Sequence, residues 1–343
     1  MSADSFIGVI GCGRMGRGLV RNLLRHGHRV LVSDASARAV DDAVALGAIA
    51  ASGQVHLSES CTTLITCLPD IEVIERVYAA EDGLLARCAE GSLLIETSSS
   101  HPALTRSLGE RAAERRLAYV DAPLVGTAEQ AWDASLVIAV GGADEAVERA
   151  AAVLGCVASR VLRCGGLGSA HALKALNNTV AMTNHAILSE AFAVAKAAGI
   201  DRRTAFEVLR SGLGASRKLE DLAPKILEAD HPRRAVMKTV AKDLGIFKTL
   251  AASTPIPTLV LDASLDLYLA VCQLGDDSEP PSRLADLLAE RHQALRERLG
   301  GSGYAGRLEA GDSAGDSAGD SAGDSAGDSA GDAPDDSNME TRS

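Results

Sequence analysis

The chain has 343 residues, 46% of them hydrophobic and only 3% aromatic, so it can bury a large core built mostly of Ala, Val, Leu and Ile and divide into more than one domain. Its net charge of −12 argues against nucleic acid as a partner, because phosphate binding needs a basic surface. No apolar run is long enough to span a bilayer, and MSADSFIGVIG has no basic stretch ahead of its short apolar run, so neither a membrane association nor a signal peptide is expected.

Taken in order, Phe6–Gly11 reads as a strand, and 16–27 as a helix with apolar residues at Leu19, Val20, Leu23 and Leu24. Between them lies Gly11-Cys12-Gly13-Arg14-Met15-Gly16, a GxGxxG loop placed directly after a strand and opening a helix. The first glycine permits a tight turn, the second lets backbone approach a pyrophosphate, and the third packs helix against strand. A helix N-terminus there offers unpaired N–H groups to phosphate. Asp34 ends the next strand, 29–34, and stands 18 residues past Gly16, close to the spacing of a ribose-binding acid. Its carboxylate would repel a 2′-phosphate, so NAD(H) is preferred, with NADP(H) kept open by nearby Arg38.

A helix through 36–47 follows, then β-like runs at 62–69, 92–98, 117–123, 135–142 and 160–166. Alternating strand and helix predicts an α/β fold, a doubly wound parallel sheet of Rossmann type. After Gly168 only helical period remains, over 168–198, 202–211, 217–228, 234–252, 257–274 and 282–298. Gly199 reads as a helix stop and Asp201 as an N-cap, while Pro255, Pro257, Pro280 and Pro281 mark breaks. The expected division is a nucleotide-binding domain over 1–165, an all-α domain over 166–299 and a tail over 300–343. From Gly311 the tail repeats Gly-Asp-Ser-Ala, with no apolar face, and is expected to be disordered. The seven cysteines form no CxxC pair, and neither they nor the eight histidines show metal spacing. Reduced thiols, a cytoplasmic location and no metal site are therefore expected.

The long helix opens with His171-Ala-Leu-Lys174-Ala-Leu-Asn177-Asn178, in which Lys174, Asn177 and Asn178 lie three and four apart on a helix that is otherwise apolar. At a junction between two domains, where clefts form, such a cation beside amides is a candidate for chemistry rather than packing.

With these motifs in place the chain resembles the β-hydroxyacid dehydrogenase family, that of 3-hydroxyisobutyrate dehydrogenase and tartronate semialdehyde reductase. The resemblance runs from Phe6 to Leu299. It rests on GCGRMG with NLLRHGHRV, on CLPD (67–70), on TSSSHP (97–102), on DAPLVGT (121–127), on KALNN and on AKDLGI (241–246). It implies an NAD(P)-dependent enzyme that interconverts a small 3-hydroxy acid and its semialdehyde, with Lys174 as general acid/base. Asn178 would hold the substrate hydroxyl or the lysine in line, and Asn177 would face either the substrate's carboxylate end or the protein. Leu68, Pro69, Ser99 and Lys242 would lie against the cofactor. The substrate loop would supply Val125, Gly126 and Thr127 to a carboxylate, and the helical domain would pair subunits into a dimer or tetramer.

The loop departs from the family's Asp-Ala-Pro-Val-Ser-Gly-Gly, with Val125 in place of the serine and Thr127 in place of the last glycine. That narrows the pocket, and backbone N–H groups with the Thr127 hydroxyl would have to do the serine's work. Gly126 stands where 3-sulfolactaldehyde reductases carry an arginine, which weighs against a sulfonate. Ala134 and Ala170 replace glycines usual in the family. Ser98 and Ser100 read equally as caps for the helix from Pro102. Arg217 is a candidate carboxylate clamp, and His171 is expected at the surface. The competing readings are an imine or other carbonyl reductase and a non-catalytic nucleotide-binding member of the fold.

Overall fold

A computed structural model describes residues 6–233 and 235–300. The Gly-Asp-Ser-Ala repeat lies outside the described residues.

The first half is a nine-stranded sheet flanked by helices. β1 (Phe6–Ile10), α1 (Arg14–Arg25), β2 (Arg29–Ser33), α2 (Ala37–Val44), β3 (Ile49–Ala50), α3 (Gln54–Ser60) and β4 (Cys61–Thr66) come first. Then follow α4 (Ile71–Ala79), α5 (Leu84–Arg87), β5 (Leu93–Glu96), α6 (Pro102–Glu114) and β6 (Ala118–Asp121). β7 (Leu124–Val125), α7 (Ala128–Trp132), β8 (Val137–Gly141), α8 (Asp144–Leu154) and β9 (Arg160–Gly165) complete it. The strand order is β3-β2-β1-β4-β5-β6-β8-β7, with β9 beside β8.

From β3 to β6 every pairing is parallel, as the alternating pattern predicts. The last part corrects that pattern. β8 pairs antiparallel with β6 and β7, and only β9 runs with it. The connection from β6 to β8 contains only the short β7 and α7, not a full crossover helix, and an antiparallel return needs none. Side chains alternate between faces. Ile7, Val9, Ile65, Leu93 and Ile95 pack on one side of the sheet, and Ile10, Leu64, Leu94, Tyr78 and Leu108 on the other. Both faces are dry, which is why these strands read as continuous apolar runs.

Beyond Gly168 come α9 (Ser169–Ala197), α10 (Arg202–Ser211), α11 (Arg217–Leu227), α12 (Met237–Ala251), α13 (Leu259–Val271), α14 (Leu284–Glu290) and α15 (His292–Leu299). Asp201 caps α10 by accepting from the Thr204 N–H at 3.0 Å, and Gly199 takes φ +72°, as their positions in the sequence predict. The 29-residue α9 is the axis of this part, with α10, α11, α12, α13 and α14 packed along it. Leu188 and Phe192 of α9 meet Leu219, Leu222 and Ile226 of α11.

The alanine at 134 has a readable consequence. It follows the C-terminus of α7 with φ +54°, a left-handed conformation that favours glycine. Ala134→Gly is therefore expected to stabilise the fold by about 1 kcal/mol in denaturant unfolding. A neutral or destabilising result would mean that the methyl packs well enough to offset the strain.

Candidate active site

The glycine loop forms as its spacing predicts. Gly11 has φ +95°, and a Cβ there would collide with the Cys67 carbonyl oxygen. A Cβ on Gly16 would strike the Gly11 carbonyl oxygen, so α1 starts tight against the loop. Gly13 faces open space instead, with nothing within 4 Å of an added Cβ, and it begins α1 without a side-chain cap. The backbone N–H groups of the first turn, at Met15 and Gly16, form a helix N-terminus beside open space and fit a pyrophosphate. At the end of β2, Asp34 accepts from the Cys12 N–H at 2.6 Å and the Ser36 N–H at 2.8 Å. The carboxylate is thereby aimed along the loop, and each oxygen keeps a lone pair for a ribose hydroxyl. Arg38 is exposed nearby.

The loops after β4 and β5 are stitched together beside this cradle. The Ser98 hydroxyl accepts from the Leu68 N–H at 2.7 Å, and the Thr97 hydroxyl donates to the Thr66 carbonyl at 2.6 Å. Glu96, fully buried, accepts from the Thr66 hydroxyl at 2.7 Å and from the Ser98 N–H at 2.6 Å. Burial pushes its carboxyl above the ordinary range. Sequence reasoning passed over Glu96, because nothing about a lone acid ending a strand shows that its partners arrive from 30 residues away. Ser98 is thus a strut rather than a helix cap, and α6, which starts at Pro102 after His101 at the N-cap position, has no side-chain cap at all.

α9 brings Lys174 to this wall. Lys174, Asn178, Ser99, Ser100, His171, Ala175, Asp243 and Ile246 line one cavity of about 10 Å³, room for about one water. Burial lowers the Lys174 ammonium from the ordinary lysine value of 10.5, and Lys242 adds to that, while Asp243 and Cys67 oppose it. Among the described residues no hydrogen bond or ion pair reaches this ammonium. Asn178 does not hold it; its amide donates to Asp243 at 3.0 Å. Asp243 is raised by burial and stands 3.9 Å from the Lys242 ammonium. Lys242 itself donates to the Pro69 carbonyl at 3.4 Å, which joins α12 to the loop after β4. Asp243 is adjacent to Lys242 in AKDLGI, but nothing local in that segment shows that its partner Asn178 lies 65 residues away.

Two expectations are corrected. His171 is not at the surface: it is 1% exposed, with Nδ1 2.7 Å from the Thr105 hydroxyl and Nε2 3.2 Å from the Ser98 carbonyl. A carbonyl can only accept, so Nε2 carries the proton and Nδ1 accepts from Thr105. That neutral form agrees with a pKa lowered to about 4 by burial and by neighbouring Lys174, against the pull of Asp121. Thr127 is the second. It caps α7 in a capping box, its hydroxyl accepting from the Gln130 N–H at 3.3 Å and its own N–H donating to the Gln130 side chain at 3.0 Å. Its N–H is thus not free for an anion, and only its hydroxyl proton remains to donate. Val125 pairs with Val137, and Gly126 has φ +144°. Neither these three residues nor Asn177 lines the Lys174 cavity. Asn177 is exposed, with a 3.4 Å bond to Asn178, because it sits a helical step, about 100°, round from it. Arg217 is exposed at the start of α11 and also lies outside the cavity.

The carboxylate that orients α9 is Asp121, at the end of β6. Wholly buried, it accepts from the Gly168 and His171 N–H groups, each at 2.9 Å, and so caps the helix that carries Lys174. Among the described residues no group of His, Cys, Asp and Glu could hold a metal ion.

Residues 6–166 match the NAD binding domain of 6-phosphogluconate dehydrogenase, and residues 168–288 match the NAD-binding domain of NADP-dependent 3-hydroxyisobutyrate dehydrogenase. An NAD-dependent L-serine dehydrogenase of Pseudomonas aeruginosa is 31% identical over 276 residues, 78% of this chain and 93% of that one. The mitochondrial 3-hydroxyisobutyrate dehydrogenase of Rattus norvegicus is 27% identical over 84% of this chain and 89% of its own length. Among solved structures, Mycobacterium tuberculosis 3-hydroxyisobutyrate dehydrogenase with L-serine superposes with a TM-score of 0.75 at 26% identity, over 83% of this chain and 99% of that one.

Proposed function

The chain belongs to the β-hydroxyacid dehydrogenase family, an assignment that supports an NAD(P)-dependent oxidoreductase, and from that premise we propose that it interconverts a small 3-hydroxy acid and its semialdehyde with Lys174 as general acid/base. One observation carries this reading: a half-buried lysine ammonium with no hydrogen bond or ion pair among the described residues, lowered from its ordinary value, in a cavity with Asn178, Ser99 and Asp243. A bound nicotinamide would supply or accept the hydride. Residues 1–165 hold that cofactor through Gly11–Gly16, Asp34, Leu68, Pro69 and Ser99, while residues 166–299 add Lys242 beside it and deliver the proton.

In reduction the carbonyl oxygen gathers negative charge, which the Lys174 ammonium stabilises before giving up its proton. In oxidation the neutral amine takes the hydroxyl proton. Asn178, fixed by Asp243, orients the reacting oxygen with its remaining amide proton. The substrate carboxylate falls to the Gly126 backbone and the Thr127 hydroxyl proton.

Asp34 favours NAD(H) over NADP(H), since its carboxylate would face a 2′-phosphate. The test follows NADH and NADPH oxidation against tartronate, methylmalonate and succinate semialdehydes and glyoxylate. Turnover of a 3-carbon semialdehyde with NADH ahead is expected. Tight NADH binding with no turnover of any member would refute the hydroxy-acid reading.

We also propose a homodimer or homotetramer. Leu173, Leu176, Val180, Ile187 and Val194 form one stripe along α9, Val180 being 70% and Val194 66% exposed. Their spacings of three, four and seven suit packing against another helix, and a second copy would bury them. Sedimentation should show the oligomer, with Val180→Asp shifting it to monomer. Free cysteines throughout support a reducing compartment, the cytoplasm. Among the described residues no helix is long and apolar enough to cross a membrane.

A further inference from the structure

Ser100 is 3% exposed and lines the cavity with Lys174, yet its hydroxyl has no hydrogen-bond partner among the described residues. Buried hydroxyls are ordinarily paired, so an orphan at the wall of a reaction cavity points to a partner that arrives with the ligand. Its neighbour Ser98 shows the contrast, since that hydroxyl is taken by the Leu68 N–H. The cavity wall is polar beyond what one carbonyl and one proton need. Lys174, Asn178 and Asp243 serve the reacting oxygen, His171 is bound to Thr105 and Ser98, and only Ala175 and Ile246 are apolar. A substituent placed against Ser100 therefore meets a hydroxyl, not a hydrocarbon surface.

We infer that Ser100 recognises a neutral hydroxyl on carbon 2 of the substrate, so that the preferred class is the 2,3-dihydroxy acids and their 2-hydroxy semialdehydes, not the 2-methyl acids. The inference rests on the reading of Lys174 as the acid/base for a 3-hydroxy acid. Methyl and hydroxyl are close in size, so shape alone separates them poorly, and an unpaired buried donor does so strongly. An ammonium at carbon 2 suits the site less well. Lys174 and Lys242 already bring two cations to the single carboxylate of Asp243, and a third would be repelled.

The test compares NAD-dependent oxidation of glycerate, 3-hydroxyisobutyrate and serine, three acids that differ only in the carbon 2 substituent. kcat/KM for glycerate should exceed that for 3-hydroxyisobutyrate by about 100-fold. Ser100→Ala should lower the glycerate value about 10-fold more than the 3-hydroxyisobutyrate value, while Ser100→Thr, which keeps the hydroxyl, should retain most of the ratio. A ratio near one, a ratio that Ser100→Ala leaves intact, or a preference for serine would overturn the assignment of Ser100 while Lys174 stands. Turnover of none of the three, with NADH still bound, would remove the hydroxy-acid reading and this inference together.

Discussion

Lys174→Ala is expected to lower kcat/KM by 10²–10⁴-fold, the usual worth of a positioned proton donor, with NADH binding unchanged because the cofactor cradle lies on other elements. The pH dependence supplies the sharper readout. Oxidation needs the neutral amine, so its rate falls as pH falls through the lysine's folded pKa. Reduction needs the ammonium, so its rate falls as pH rises through the same point. Because burial holds that pKa under the ordinary 10.5, both limbs should lie below it and share one midpoint. Asp243 favours the charged lysine, so Asp243→Asn should move both limbs to lower pH. Limbs at an unperturbed lysine value, or a variant that keeps full turnover, would place the proton on another group.

The parts of this molecule that were legible in the sequence are those where one short segment carries its own reason. GCGRMG needs glycines for a positive φ and for close backbone approach, and it reads as a phosphate turn wherever a strand precedes it. The apolar runs of β1, β4 and β5 declare a sheet covered on both faces, and Asp201 declares a helix start. What was illegible is partnership across the chain. Asp121 meets Gly168 and His171, 47 and 50 residues on, and no periodicity encodes that meeting. The burial of His171 follows from the same fact, because α9 is pulled onto the loops after β5 and β6 by a carboxylate at its first turn. Thr127 is legible only in part, for the opposite reason: Thr127-x-x-Gln130 is a capping signature in its own right, and that local use takes the backbone N–H and leaves only the hydroxyl proton for a ligand. Strand direction at β8 hinges likewise on how short the β6–β8 connection is.

Asp121→Asn is expected to destabilise the fold by about 3 kcal/mol and to reduce turnover further than the folded fraction explains. The carboxylate accepts two backbone N–H bonds with no exposure to water, and bonds to a charged acceptor contribute about 1.5–3 kcal/mol each. Asparagine keeps one acceptor oxygen but turns an NH₂ toward donors, so at least one N–H of the α9 first turn is left buried and unpaired. Asp121 also stands 3.5 Å from His171 Nδ1, where its charge opposes the depression of the imidazole. His171 is neutral in the fold, at about 4 against an ordinary 6.5, so its contribution is complete above 6.5 and is lost as pH falls toward 4. Without Asp121 the imidazole loses its counter-charge, its folded pKa drops further, and the acid-side loss of stability extends to lower pH. Three residues beyond His171 sits Lys174, and fraying of this turn would displace the ammonium from Ser99 and Asn178. Unfolding followed by denaturant at pH 7 and again near pH 5, together with kcat on the folded protein, separates the two effects. A variant with wild-type stability but low kcat would make Asp121 a direct participant in catalysis, while one with lowered stability and full kcat would show that α9 keeps Lys174 in place without this cap.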